Sequence, residues 1–305
     1  MVPILCETWG NVTWYAQPWG KRQMSRYQRE LEIAVAAVRD AAATIAAFYA
    51  EASVAIYTKQ DASPVTDADL ASDRILRGHL AAAFPDDAVL TEEGADDPAR
   101  LTAERVWIAD PLDGTQQFID RTGEFDIFLA LVVSGRPVVA VAGHPVTGTI
   151  LAAVAGEGAT IEDRDGKRPL RVAPPTKPVR LGTNRHHTLP RDLPRLKRIA
   201  ELAGLIPPGE RQPFSPRAFF AIERRAAVYD AYLGIGPRPG DPDVGSDWDI
   251  AAPDLILNEA GGILTDDRGE LIRYNKPDIN LRHGIIAATD AGVHQRLVEA
   301  ITSAP

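Results

Sequence analysis

The sequence holds one cysteine, Cys6, in 305 residues. That excludes an intrachain disulfide framework and a cysteine-rich zinc site, and it suits a reducing compartment such as the cytoplasm. Surplus positive charge is also missing: 33 Lys and Arg stand against 42 Asp and Glu, a net charge of −9. A general nucleic-acid or anionic-membrane binder would show a basic footprint, so both classes are disfavoured, and an anionic substrate needs a local positive element. Long apolar runs are absent as well. The stretch Ile127 to Val133 is typical, far below the ~20 residues of a membrane-spanning helix. Residues 1–23 carry Trp9, Trp14, Tyr15 and Trp19 among Gly, Pro and Asn, without the basic start and apolar core of a secretory signal. They read as an atypical extension, with Met24 opening the domain proper. What is present is 45% hydrophobic residues, enough for a core without staples, over a length that fits about two ordinary domains.

Periodicity predicts a long amphipathic helix over residues 26–51, from Leu31, Val35, Val38, Ala42, Ile45 and Phe48, with Ser25 and Gln28 as a capping box. A second helix is expected from about Thr66 to Phe84-Pro85, after a turn-rich stretch from Lys59 to Pro64. Short apolar runs then predict strands at Ala88–Leu90, Val106–Ala109, Ile127–Val133, Val138–Ala142 and Thr149–Val154, the last two forming an antiparallel hairpin. Four prolines between residues 163 and 180 mark a candidate domain boundary. The expected division is 24–175, an α+β metal-binding domain, and 176–305, an α/β domain contacting substrate. In the second half, strands near Val179–Thr183 and Val228–Leu233 alternate with helices at Leu193–Ala203 and Ile250–Ala260, the pattern of an α/β layered architecture.

The chemistry concentrates where an apolar strand runs into Asp110-Pro111-Leu112-Asp113-Gly114-Thr115. Two carboxylates three positions apart at a sheet end can converge on one cation, Pro111 stiffens the turn, and Gly114 lets a phosphate oxygen approach backbone N–H groups. A plain turn bearing two solvated acids is the alternative. Two further acidic groups strengthen the metal reading: Glu92-Glu93 after a strand, and Asp247 with Asp249 where an apolar helix opens. Of the last two, Asp247 reads as the helix cap and Asp249 as the ligand, with Pro253 placed in the first helical turn. Clusters of oxygen donors without His or Cys suit a hard cation such as Mg²⁺. All six histidines lie outside these clusters, and the His186-His187 pair reads as a surface loop pair, a metal or base role being the alternative.

Asp110-Pro111-Leu112-Asp113-Gly114-Thr115, the Glu92-Glu93 pair, Val65-Thr66-Asp67-Ala68-Asp69 and Trp248-Asp249 with Ala251-Ala252 resemble the motifs of the inositol monophosphatase superfamily. The extension through Gln117-Phe118-Ile119 and Gly123-Glu124-Phe125 is similar to its 3′(2′),5′-bisphosphate nucleotidase branch. The resemblance implies a sugar-phosphatase-like sandwich of alternating helix and sheet layers (αβαβα). It further implies that Glu92, Asp110, the carbonyl of Leu112, Asp113 and Asp249 ligate two or three Mg²⁺ ions, with Asp110 shared. Asp69 would support the site, Thr115 and Glu92 would orient the attacking water, and Lys59 matches a family lysine. Gly114 and Thr115, with Asp113 and Asp249, would meet the substrate. Inhibition by Li⁺ and dimerisation are family traits.

The implied activity is a cytoplasmic, Mg²⁺-dependent phosphomonoesterase acting on a small phosphate ester, here the 3′-phosphate of adenosine 3′,5′-bisphosphate or its sulfated relative. Inositol monophosphate and fructose 1,6-bisphosphate are the alternative substrates, and a cation-binding regulatory protein is the non-enzymatic alternative. A bisphosphate needs a cation for its second phosphate, for which Arg185, Arg211, Arg217, Arg224 and Arg225 are candidates, with Phe214-Ser215-Pro216-Arg217 standing where the branch carries a substrate segment.

Overall fold

The computed structural model describes residues 26–51, 54–59, 64–184, 188–209, 215–220, 227–238, 241 and 245–304. The chain opens with α1 (Gln28–Ala50), the hairpin β1 (Ile56–Thr58) and β2 (Pro64–Thr66), and α2 (Asp67–Ala83). A seven-stranded sheet follows in sequence order: β3 (Ala88–Thr91), β4 (Arg105–Asp113), β5 (Asp126–Val133), β6 (Arg136–His144), β7 (Thr149–Val154), β8 (Gly158–Asp163) and β9 (Gly166–Leu170), with α3 (Thr115–Ile119) between β4 and β5. The second half supplies β10 (Leu181–Gly182), α4 (Leu193–Ala203), β11 (Ala231–Gly234), α5 (Asp247–Glu259), β12 (Ile263–Asp266), β13 (Ile285–Ala288) and α6 (Ala291–Ser303). Its four strands pair in the order β10-β11-β13-β12.

Alternating side chains on β4 explain the layering. Trp107 and Ala109 face α1 and α2, while Val106 and Ile108 face α5, so both surfaces of the large sheet are dry. The small sheet turns Tyr232, Leu264 and Ala287 toward α5 and Ala231, Leu233 and Ile286 toward α4 and α6. The order of layers is therefore helix, sheet, helix, sheet, helix, as the resemblance implies.

Capping fixes the helix that reaches the site. Thr66 accepts from the backbone N–H of Ala68, and Asp69 Oδ2 accepts from the Thr66 N–H at 2.9 Å, a closed capping box at the start of α2. The same device is not seen on α1, whose N-cap is Tyr27 without a side-chain bond; Gln28 is its first residue, and Ser25 lies outside the described residues. By length and composition α1 could cross a membrane. Its Ala34, Ala37, Val38, Ala41, Ala42 and Ile45 stripe is instead buried in the core beside α2 and the large sheet.

Several boundaries differ from the sequence reading. Residues 158–170 continue the large sheet, so the proline-rich stretch begins inside β9; Pro169 is tolerated because β9 is an edge strand, where a missing N–H is cheap. The strand expected at Val179–Thr183 narrows to β10, and that at Val228–Leu233 shifts to β11. Helix α5 starts at Asp247 rather than Ile250 because Ser246 and Asp249 form its capping box. Pro253 consequently lies inside α5, past the first turn. There it cannot donate to the carbonyl of Asp249.

Candidate metal centre

Strands β3 and β4 run parallel, Thr91 at the end of β3 pairing with Ala109, and the Glu92 N–H donates to the Ala109 carbonyl at 3.3 Å. The register of β4 on β5 breaks between Asp110 and Asp113. That irregularity lets both carboxylates leave the sheet on one side. Asp110 Oδ1 accepts the Leu112 N–H at 2.9 Å, and Ser72 Oγ on α2 donates to the Pro111 carbonyl at 2.7 Å, so the turn is fastened from both ends. Gly114 adopts φ 94° as the N-cap of α3; a Cβ there would meet the Glu124 carbonyl at 3.2 Å, in a conformation L side chains avoid.

Across the layers, the first turn of α5 brings Asp249 to the same place. Carboxylate oxygens of Asp110, Asp113 and Asp249 lie within 4.8 Å of one another. Burial and the charges of Glu92, Asp113 and Asp249 raise the Asp110 carboxyl well above the ordinary range. Burial, Asp249 and Asp126 do the same to Asp113, partly opposed by Arg217, and Asp249 is pushed up to about 7 by burial and Glu92. Three grouped acids, Asp110 buried and Asp113 and Asp249 half-buried, that repel one another in this way are an oxygen-donor set completed by a hard cation. Mg²⁺ fits the residues present: all donors are oxygens, neither His nor Cys joins the trio, and the surplus charge is negative.

The other expected residues border this trio. Glu92 stands beside it, close enough for its charge to act on all three acids, but the trio closes without it and its Oε1 is held by Lys59 Nζ at 2.7 Å. Lys59 also binds Glu93 Oε1 at 2.6 Å; burial nonetheless raises the Glu93 carboxyl to about 7. Thr115 Oγ1 donates to Asp69 Oδ1 at 2.8 Å, the arrangement expected of that pair. Arg217 reaches the rim already engaged, with Nε on Asp126 Oδ1 at 2.8 Å and Nη2 near Glu124 Oε2 at 3.4 Å. Arg185, Arg211, Arg224, Arg225, His186 and His187 lie outside the described residues.

The assignment of Asp247 as the cap is corrected. Ser246 is the N-cap and Asp249 Oδ2 accepts its N–H at 2.6 Å, so Asp249 both closes the capping box and joins the trio. Asp247 is fully buried and held by Lys276 Nζ at 2.5 Å and the Asn275 N–H at 2.8 Å. Of the described histidines, His283 groups with Asp266 and Asp267, a cluster that the sequence reading did not name; there Arg268 Nη2 already donates to Asp266 Oδ2 at 2.7 Å. Asp126 escaped sequence reading, and Ser215 was named only as part of the segment Phe214-Ser215-Pro216-Arg217. The one available signal was an acid heading the apolar run Ile127–Val133.

The model of the family described as "Inositol monophosphatase family" matches residues 26–305. The chain is similar to the 3′(2′),5′-bisphosphate nucleotidase CysQ of Salmonella typhimurium, 33% identical over 229 residues, 74% of this chain and 85% of that one. It is comparably similar to the Nus factor SuhB of Pasteurella multocida, 32% identical over 243 residues, 78% and 85% of the two chains. The crystal structure of CysQ from Bacteroides thetaiotaomicron superposes with a TM-score of 0.66 at 26% identity, covering 87% of this chain and 99% of that one.

Proposed function

The chain belongs to the inositol monophosphatase family, and from that membership we propose that this phosphatase removes the 3′-phosphate of adenosine 3′,5′-bisphosphate or its sulfated relative, by attack of water. The observation that carries the reading is the carboxylate trio Asp110, Asp113 and Asp249, set beside Thr115 and Asp69. Asp110, Asp113 and Asp249, with Glu92 and the Leu112 carbonyl, would hold Mg²⁺. When bound, the ions neutralise the ester phosphate and make water a better nucleophile.

The protein groups then have separate tasks. Asp69, locked by its bonds to Thr66, accepts from Thr115 Oγ1 and so fixes the direction in which that hydroxyl can accept from water. Glu92 is the neighbouring acceptor, and Lys59 holds it in place while offsetting part of the crowded negative charge. Gly114 and Thr115 offer backbone N–H groups to the phosphate where α3 opens. No His or Lys base lies beside Thr115 in the bonds it makes, so direct attack by its hydroxyl lacks an activating partner. On this reading residues 24–175 carry most of the cation ligands, and 176–305 add Asp249 and Arg217. One cysteine in the chain accords with a cytoplasmic location.

The nucleotide substrate is supported by the CysQ relatives, whose names describe that activity. The family's own description favours an inositol ester as the second reading. A panel of adenosine 3′,5′-bisphosphate, inositol 1-phosphate and fructose 1,6-bisphosphate, compared by kcat/KM at fixed Mg²⁺, separates them. The nucleotide is expected first. An inositol ester clearly ahead of it refutes the nucleotide assignment, and absence of phosphate release from every ester favours a cation-binding regulatory protein.

A further inference from the structure

Asp126 opens β5 and pairs in register with Asp113 of β4. Only 2% exposed, it is surrounded by groups from separate parts of the chain. Arg217 Nε donates to Oδ1 at 2.8 Å and Ser215 Oγ donates to Oδ2 at 2.7 Å. His144, at the end of β6, places Nδ1 3.4 Å from Oδ1 while also contacting the Phe125 carbonyl at 2.9 Å. Ser215 Oγ accepts in turn from the Arg217 N–H at 3.2 Å and caps the short helix Pro216–Phe219. The bonded network therefore sets both the backbone and the guanidinium of Arg217. Burial alone would raise the Asp126 carboxyl, yet Arg217, His144 and Ser215 hold it well below the usual carboxylate range.

A carboxylate buried beside the cation ligands adds to their repulsion, so its presence there calls for a function. We infer that Asp126 is a positioning residue that holds the Arg217 guanidinium at the rim of the carboxylate trio to receive a second phosphate of the substrate. The Asp126–Arg217 pair thereby selects bisphosphate esters over monoesters. This inference rests on the phosphatase reading above and deepens its substrate part.

The chemistry of the pair supports it. A guanidinium is a flat fork with five N–H donors, and bonds to Asp126 and Glu124 fix its plane. Its charge already reaches Asp113, which places it within electrostatic range of a phosphate held at the trio. The contact also joins residues 91 positions apart, tying the segment 215–220 to the sheet that carries Asp110 and Asp113. A lysine could supply the charge but not the fork.

The test compares adenosine 3′,5′-bisphosphate with adenosine 3′-monophosphate, which lacks only the 5′-phosphate, in wild type, Asp126→Asn, Arg217→Lys and the double variant. Each single variant is expected to lower the bisphosphate-to-monophosphate ratio of kcat/KM about tenfold, through KM for the bisphosphate, as for one charged hydrogen bond. Asp126→Asn should add nothing in the Arg217→Lys background, because it acts through that residue. An unchanged ratio in Asp126→Asn overturns the positioning role, whether or not Arg217→Lys moves it. If Asp126→Asn does not fold, Ser215→Ala should lower the ratio in the same direction by less, and an unaltered ratio there overturns the proposal equally. Wild type that releases no phosphate from either ester defeats the underlying phosphatase reading, whereas release with an unmoved ratio defeats this inference alone.

Discussion

Asp113 and Asp126 face each other across β4 and β5, yet their surroundings drive them in opposite directions. Burial and neighbouring acids raise Asp113; at Asp126, burial is overcome by Arg217, His144 and Ser215. Two carboxylates paired across adjacent strands thus serve different ends. One belongs to a group whose negative charge calls for a cation from outside, the other to a group that carries its own. Burial alone does not reveal which is which; the sign of the nearest partner does.

Breaking the first group should have the largest effect. Asp110→Asn keeps an oxygen for the Leu112 N–H but removes one anionic donor, and phosphate release is expected to fall on the order of 10³-fold. Without Mg²⁺ the same variant should melt higher than wild type, since one of several repelling charges is gone. A variant that retained full activity would falsify the assignment of Asp110 as a ligand.

Breaking the second group should cost stability whether or not Mg²⁺ is present. Asp126→Asn leaves the Arg217 guanidinium without its main counterion, a loss of about 3 kcal/mol by denaturant titration. Equal stability of the variant and wild type would mean that the pair does not hold the two halves together.

The pH dependence sharpens the contrast further. Asp249 and Glu93 titrate near about 7, and Asp110 and Asp113 are raised well above the usual range. Folded protein therefore binds protons that unfolded carboxyls, with ordinary values of about 4, have released. Metal-free stability should decline as pH rises from about 4 to about 7, and saturating Mg²⁺ should flatten that decline. Asp126 has the opposite sign: its contribution is present above the ordinary carboxylate value and is lost only in acid below it, so it adds no slope near neutrality. Melting curves with and without Mg²⁺ that run parallel through this interval would remove the distinction.

The smallest effect is expected at Asp266, Asp267 and His283. They also gather potential ligands, but Arg268 already neutralises Asp266 and the site is partly open. Asp267→Asn should change stability by no more than about 0.5 kcal/mol and leave phosphate release unaltered in the same assay.

Much of the first region was readable from sequence because its signals are local. The run from Trp107 to Thr115 combines an apolar strand, two acids and a glycine that must turn, and Thr66 with Asp69 spells a capping box. Asp249 was legible as a ligand from its place where an apolar helix opens, and the family resemblance joined it to the acids of the other half of the chain. In the second region Arg217 and the segment holding Ser215 were named as candidate substrate contacts, but Asp126 and its bonds to them were not readable. Nothing in the local pattern around Asp126 or Arg217 reports a bond across 91 positions. Strands β8 and β9 were missed for a different reason: β8 is short and ends in Glu162 and Asp163, and in the edge strand β9 charged residues and Pro169 mask the alternation. Asp247 and Asp249 were told apart incorrectly as caps because both sit in the same first turn, and only tertiary partners, Lys276 for one and the trio for the other, separate them.

Titration calorimetry of Mg²⁺ into wild type and into the double variant Asp110→Asn with Asp249→Asn examines the cation site without relying on any substrate. Saturable binding by the wild type, lost in the variant, is the predicted result. Matching isotherms for the two proteins would contradict the assignment of these carboxylates as the metal centre.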